Sequence, residues 1–413
     1  MPAIPRPLAL GVIAAFALIS VVPLAANAAQ SARDSAGIRI VENAAPMVRG
    51  ARAPHLARAP WLELDPTTGA DYAFGGVDGV IRLDDARIIV AARTSPQFRL
   101  FDARGRLLHA IDERRPIDRG NRDRHTIAKL RGDTIAVLHN SDVLLFVVAG
   151  DSLRQISAPP ELPQGPPGEL RLNVLASGGS AYVTFPRPAA HAVGTQWEDS
   201  TGFVLRERDG ALITELGRVP YVTLAMTSTG MTSVWLSATA VTCAGSGRFV
   251  FGFGDAYTIR VYSERGALES IVRRAWIPTP VTAADWEHWV VDWSKLWITE
   301  RGADSLKAVQ RVREELYAFA LPAFAGCLVA SDGSLWVREA HLDDAISAGS
   351  LSDDPIVPST WSVFNAAGRW ITDVTMPAGF QPTDVGSDYV AGRFRRGPGR
   401  TTVVMYQFAA NAR

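Results

Sequence analysis

The chain has 413 residues, with 42 basic and 42 acidic side chains and no formal net charge at neutral pH. That balance excludes broad electrostatic attraction to nucleic acid or to an anionic membrane as the main activity. Apolar residues make up 47% and charged residues 20%, a composition that can bury a large core and excludes a disordered chain.

The N-terminus reads first as an address. Arg6 is the only charged side chain before an apolar run from Leu8 to Leu24, which ends in Ala26-Asn27-Ala28. An A-x-A site after a short apolar run marks residues 1–28 as a signal peptide. The competing reading, a membrane anchor, asks for a slightly longer run. No Cys lies near the cut, so no lipid anchor is expected. The mature chain is expected to start at Ala29 and to be periplasmic or extracellular, with no stable membrane anchor. In residues 29–60 a short strand at 37–42 precedes an Ala-, Pro- and Arg-rich connector at 44–60.

From residue 61 to 413 the chain reads as short strands, each rich in β-branched or aromatic residues and bounded by turn residues. They recur in a fixed order. The first unit has strands at 87–92, 97–101 and 107–111, and the second at 134–138, 143–147 and 153–156. A third has 181–185, 202–205 and 212–216; a fourth has 249–253, 258–262 and 268–272. The fifth has 335–338, 361–364 and 370–374, and a partial sixth has 389–394 and 402–408. Units of about forty to sixty residues, each a four-stranded meander, predict an all-β, six-bladed β-propeller. The last unit lacks its outermost strand. The strand at 37–42 has no partner of its own, and its expected role is to close that last blade.

One stretch breaks the pattern. Thr282 and Asp285 form a capping box, and Trp286, Trp289, Val290, Trp293 and Trp297 follow at helical spacing. Leu306, Val309, Val312 and Leu316 form a second helical stripe. A helical insertion at 281–318 is therefore expected between the fourth and fifth blades. Its tryptophans either anchor the insertion to the blade rims or roof an aromatic pocket.

Several segments resemble a known family. Asp34 to Asn43, Trp361-Ser362-Val363-Phe364 through Trp370, Pro377-Ala378-Gly379-Phe380, and Val385 to Gly392 are similar to the opening and closing segments of secreted bacterial six-bladed propellers. The resemblance implies a fold related to NHL- and TolB-like propellers, a family mostly of unassigned function. Where NHL repeats commonly place Asp and Asn before the third strand, this chain has Thr94-Ser95-Pro96-Gln97 and Ser141-Asp142.

Propeller geometry sorts the loops by face. Loops between second and third strands, and connections between blades, share one face around the funnel. That face is expected to carry Arg93, His139, Asn140, Arg187, His191, Trp197, Asp255, Tyr257, Glu339 and His341. Long loops there are where binding concentrates, so the expected partner is a ligand or protein at the funnel face, bound by a monomer. The chain contains no H-E-x-x-H, G-x-S-x-G or P-loop pattern, and no catalytic residues are assigned. No resident cofactor is expected. The alternative function is a calcium-dependent, lactonase-like hydrolase with its site at the propeller axis, by analogy with propeller lactonases that use inward Asn, Asp and Glu, here Asn140, Asp255 and Glu339. Cys243 and Cys327 are the only cysteines. They either pair, as an oxidising compartment allows, or lie separately buried as small apolar side chains.

Overall fold

The structure, a computed structural model, describes residues 30–50, 53–92, 96–112, 125–130, 132–139, 142–156, 169–184, 191–227, 230–291, 317–342, 357–397 and 400–409. The expected leader and the stripe at 306–316 lie outside these residues.

Strands dominate and assemble into six sheets, giving an all-β, propeller-type fold. The first sheet is the meander Val77–Arg82, Ile88–Ala92, Phe98–Phe101, Leu107–Ile111. The second is His125–Lys129, Thr134–His139, Asp142–Ala149, Ser152–Ile156. The third runs Glu169–Val174, Ser180–Thr184, Gln196–Arg206, Leu212–Thr227, Gly230–Ser233. Val241–Gly245, Arg248–Gly252, Thr258–Ser263 and Leu268–Arg274 begin the fourth, and Phe324–Val329, Leu335–Glu339, Ser359–Phe364 and Trp370–Met376 form the fifth. Phe380–Val385, Tyr389–Gly397 and Arg400–Gln407 lie in the sixth.

The strands read as near-continuous apolar runs because both faces of each sheet are covered. Side chains alternate across a strand. Ile88, Val90 and Ala92 therefore face the sixth sheet, while Ile89 and Ala91 face the second. Phe249 and Phe251 pack toward the third sheet, and Val250 between them packs toward the fifth. Gly252 is required by such a close approach, since a Cβ there would lie 2.6 Å from the Phe324 ring. Apolar clusters fill each seam between sheets consecutive in the chain, and a further cluster joins the sixth sheet to the first through Tyr389, Met405, Val77 and Val90.

The N-terminal strand corrects the expected closure. Ile38–Asn43 does not join the last sheet; it pairs in parallel with Leu268–Arg274 of the fourth, and Gln30–Ser35 pairs with it in turn. The outermost strand of the sixth sheet is instead Leu62–Leu64, antiparallel to Arg400–Gln407. Against the fourth sheet Ile40 and Val41 are buried, with Val41 packed at Gly368 in the turn before the last strand of the fifth sheet. The stretch expected as a loose connector is also tied down, with Met47 and Val48 donating backbone bonds to Trp370 and Ile371.

The third sheet departs from expectation in length. Ser180–Thr184 pairs as far as Gly202, and residues 196–201 pair further with the partner strand, with a bulge between Asp199 and Ser200, as far as Gln196 opposite Ala225. Part of the region expected as a long loop is therefore a paired ribbon, residues 196–201 against 219–225. Gly230–Ser233 pairs along its side.

Cys243 and Cys327 form a disulfide with Cα atoms 5.8 Å apart, joining the first strands of the fourth and fifth sheets. The capping box is formed: Thr282 donates from its backbone N–H to Asp285 Oδ2 (2.9 Å), and the Asp285 N–H donates to Thr282 Oγ1 (3.2 Å). It starts a helix over 283–291. Among the described residues no helix is long and apolar enough to cross a membrane.

Candidate functional site

The residues expected on one face fall into separate groups. Arg93, Asn140 and Arg187 lie outside the described residues, and His139 closes its strand with its backbone opposite Asp142. Asp255 and His341 are exposed.

His191 and Trp197 come together. Their rings stack with centroids 3.7 Å apart and planes inclined by 13°. Trp197 lies on the ribbon of the third sheet and His191 in the segment before it, which is fastened by the Gly194 N–H to Met226 O and the Met226 N–H to Thr195 O. Residue parity along the ribbon places Met231 opposite Met226. Met231 is 49% exposed and Val193 69% exposed, unusual values for large apolar side chains. A half-buried aromatic pair and two exposed apolar side chains thus accompany a ribbon whose Leu224 and Ala225 are themselves buried. His191 and Trp197 are among the expected residues; Met231 and Val193 are not, since apolar character signals a site only where such side chains are exposed.

Tyr257 and Glu339 also come together, though not as an open rim. Tyr257 is 2% exposed and sits in the seam between the fourth and fifth sheets. Its ring covers one side of Arg274, whose guanidinium carbon lies 4.5 Å from the Tyr257 ring centre and 4.3 Å from that of Trp370. Arg274 Nη1 donates to Glu339 Oε1 and to Ser362 Oγ. Ser362 in turn donates to Asp373 Oδ1 (2.7 Å), which also accepts from Trp370 Nε1 (3.0 Å). Burial pushes the Tyr257 hydroxyl well above its ordinary value, and the Arg274 charge offsets only part of that rise. Both carboxylates are thereby engaged by groups of this chain. Among the described residues no three His, Cys, Asp or Glu side chains stand close enough to hold a metal ion. Arg274, Ser362 and Asp373 are not among the residues expected at the site. A Ser and an Asp inside otherwise apolar strands, beside the Arg273-Arg274 strand end, were the available signal.

Two open clefts flank this network. One, of about 380 Å³, is lined by Glu42, Tyr257, Thr258, Arg273, Arg274 and Trp276. The other, of about 290 Å³, is lined by Val48, Arg49, Trp370, Thr372 and Asp373. At the helical insertion, Trp286 stacks on Trp289 and on Tyr317, at centroid distances of 4.8 and 5.0 Å, and Trp235 tilts against Trp289. Trp286 and Trp289 are buried against Leu236, Val281 and Leu321 and anchor helix 283–291 there, while Trp293 and Trp297 lie outside the described residues.

No family model and no curated protein sequence matches the chain. Solved structures do. A putative exported protein from Bacteroides fragilis is 10% identical with a TM-score of 0.42, covering 90% of this chain and 100% of its own. Regucalcin, a calcium-binding protein from Agrobacterium tumefaciens, is 11% identical with a TM-score of 0.38, covering 86% of this chain and 95% of its own. Virginiamycin B lyase from Staphylococcus aureus is 9% identical with a TM-score of 0.38, covering 84% of this chain and 98% of its own.

Proposed function

We propose that the chain is an exported six-bladed β-propeller, closed by Leu62–Leu64, that binds a ligand or protein partner through the face that carries the third-sheet ribbon. The observation that carries this reading is the ribbon itself. It carries Trp197, stacked on His191, with Val193 and Met231 exposed nearby in the same sheet region. Paired strands that present aromatic and apolar side chains suit recognition, because little order is lost on binding. The apolar seam between the sixth and first sheets supports closure. Export is supported by the apolar run ending in Ala26-Asn27-Ala28 and by the disulfide, which belongs to an oxidising compartment. The reading groups the chain with the secreted propellers its segments resemble. It gives the chain no resident cofactor and a monomeric state.

The test is site-specific photo-crosslinking in cells that export the protein. A benzophenone side chain replaces Met231 on the ribbon or Leu212, which is 53% exposed at the opposite end of the same sheet. A discrete adduct from position 231 and none from 212 is expected. Equal labelling at both, or none at either, contradicts the reading.

A further inference from the structure

The N-terminal segment does more than add a strand. Read from Gln30 onward, it visits the outer strands of three sheets in succession. Ile38–Asn43 pairs with Leu268–Arg274 of the fourth sheet. The Met47 and Val48 N–H groups then donate to Trp370 O (3.0 Å) and Ile371 O (2.9 Å) of the fifth. Farther on, Ala57 and Trp61 donate to Gln407 O (2.9 Å) and Met405 O (3.0 Å) of the sixth, ahead of the pairing by Leu62–Leu64.

Asn43 is the clasp of this belt. It is 2% exposed, and both ends of its amide are used. Nδ2 donates to Arg273 O (3.0 Å) in the fourth sheet and to Gly368 O (3.1 Å) in the fifth, while Oδ1 accepts from the Trp370 N–H (2.9 Å). Gln30 Nε2 adds a bond to the same Trp370 carbonyl at 2.6 Å. Only a primary amide supplies two donors and an acceptor at one point.

We propose that this belt is a single cooperative lock: it docks last, and its release at Asn43 uncovers the outer edges of the fourth, fifth and sixth sheets together. Its partners lie at the far end of the chain, with Asn43 and Trp370 separated by 327 positions. Contacts of such separation form late, because the intervening chain must first be ordered. Unpaired outer strands invite pairing with other chains, so the lock also protects the folded protein from edge-to-edge association.

The experiment is native-state hydrogen exchange on the mature full chain, wild type and Asn43→Asp, which keeps the side-chain shape and removes both donors. The lock predicts that the Met47, Val48 and Trp61 amides exchange through one opening. All three should accelerate by a common factor of about tenfold or more, while Val250 in the fourth-sheet interior is unchanged. Acceleration confined to Met47 and Val48, or shared equally by Val250, overturns the proposal. Should Asn43→Asp fail to fold, Gln30→Ala loosens the same clasp more gently. Leu62→Gly, at the far end of the belt, must then accelerate Met47 and Val48 as well.

Discussion

The guanidinium of Arg274 is stacked 4.3 Å from the Trp370 ring across the seam between the fourth and fifth sheets. Tyr257 covers its other side, and Glu339 and Ser362 bind its edge. Replacing Arg274 by Ala would leave Glu339 without its cation and two rings without their filling. The Arg274 side chain is 11% exposed and that of Glu339 31%, so the solvent-screened cost falls at about 2–4 kcal/mol. Arg274→Lys should recover only part of it, because an ammonium lacks the planar fork that stacks and binds sideways. Urea denaturation of the three proteins measures both values.

The disulfide between Cys243 and Cys327 spans a separation of 84 residues. The chain-entropy model assigns a loop of that length roughly 4–5 kcal/mol of stabilisation. Dithiothreitol should therefore lower the unfolding midpoint of the wild type and leave that of a Cys243→Ser, Cys327→Ser double variant unmoved. A wild type indifferent to reductant would show that the bridge does not constrain the unfolded chain.

Asp384 is half-buried where the sixth sheet meets the first, and desolvation raises its carboxyl above the ordinary 3.8 despite bonds from the Arg82 N–H and the Tyr389 hydroxyl. The folded state thus holds this proton more tightly than the unfolded chain does. Its contribution to stability is full below pH 3.8 and is lost as pH rises through the raised value. Asp384→Asn keeps an acceptor for both donors and removes the titration. The variant should be at least as stable as wild type at pH 7, and the difference between them should shrink as the pH is lowered toward 4. Urea unfolding across pH 4–8 gives the comparison.

Thr282 and Asp285 cap helix 283–291 reciprocally. Thr282→Ala should cost about 1 kcal/mol of local helix stability. Because Trp286 and Trp289 lie on that helix and stack on each other, a red shift of tryptophan emission before global unfolding reports the loss. Coincident transitions in variant and wild type would show that the cap is not limiting.

The sheets were legible because their inner strands are buried on both faces, so runs such as Ile88–Ala92 stand out without any alternation to decode. The helix start was legible because a capping box is a local chemical device. Closure was not. Whether residues 38–43 or 62–64 complete the last sheet depends on partners hundreds of positions away, and a three-residue strand such as Leu62-Glu63-Leu64 carries too little pattern to compete. The site was half legible for a related reason. His191 and Trp197 are conspicuous residue types, whereas the engagement of Glu339 by Arg274 arises only where two sheets meet. Tyr257 reads as a polar loop residue, yet it closes the seam as a buried ring.

The central claim is that the ribbon carries recognition, and its most direct measurement is the crosslink from position 231 repeated with Trp197→Ala. Removing the ring that stacks on His191 leaves the strand backbone and the sheet seams intact. The account predicts that the adduct is lost or reduced at least tenfold while the melting temperature stays within about 2 °C of the parent. An undiminished adduct from a protein of unchanged stability would contradict it and place the binding surface elsewhere.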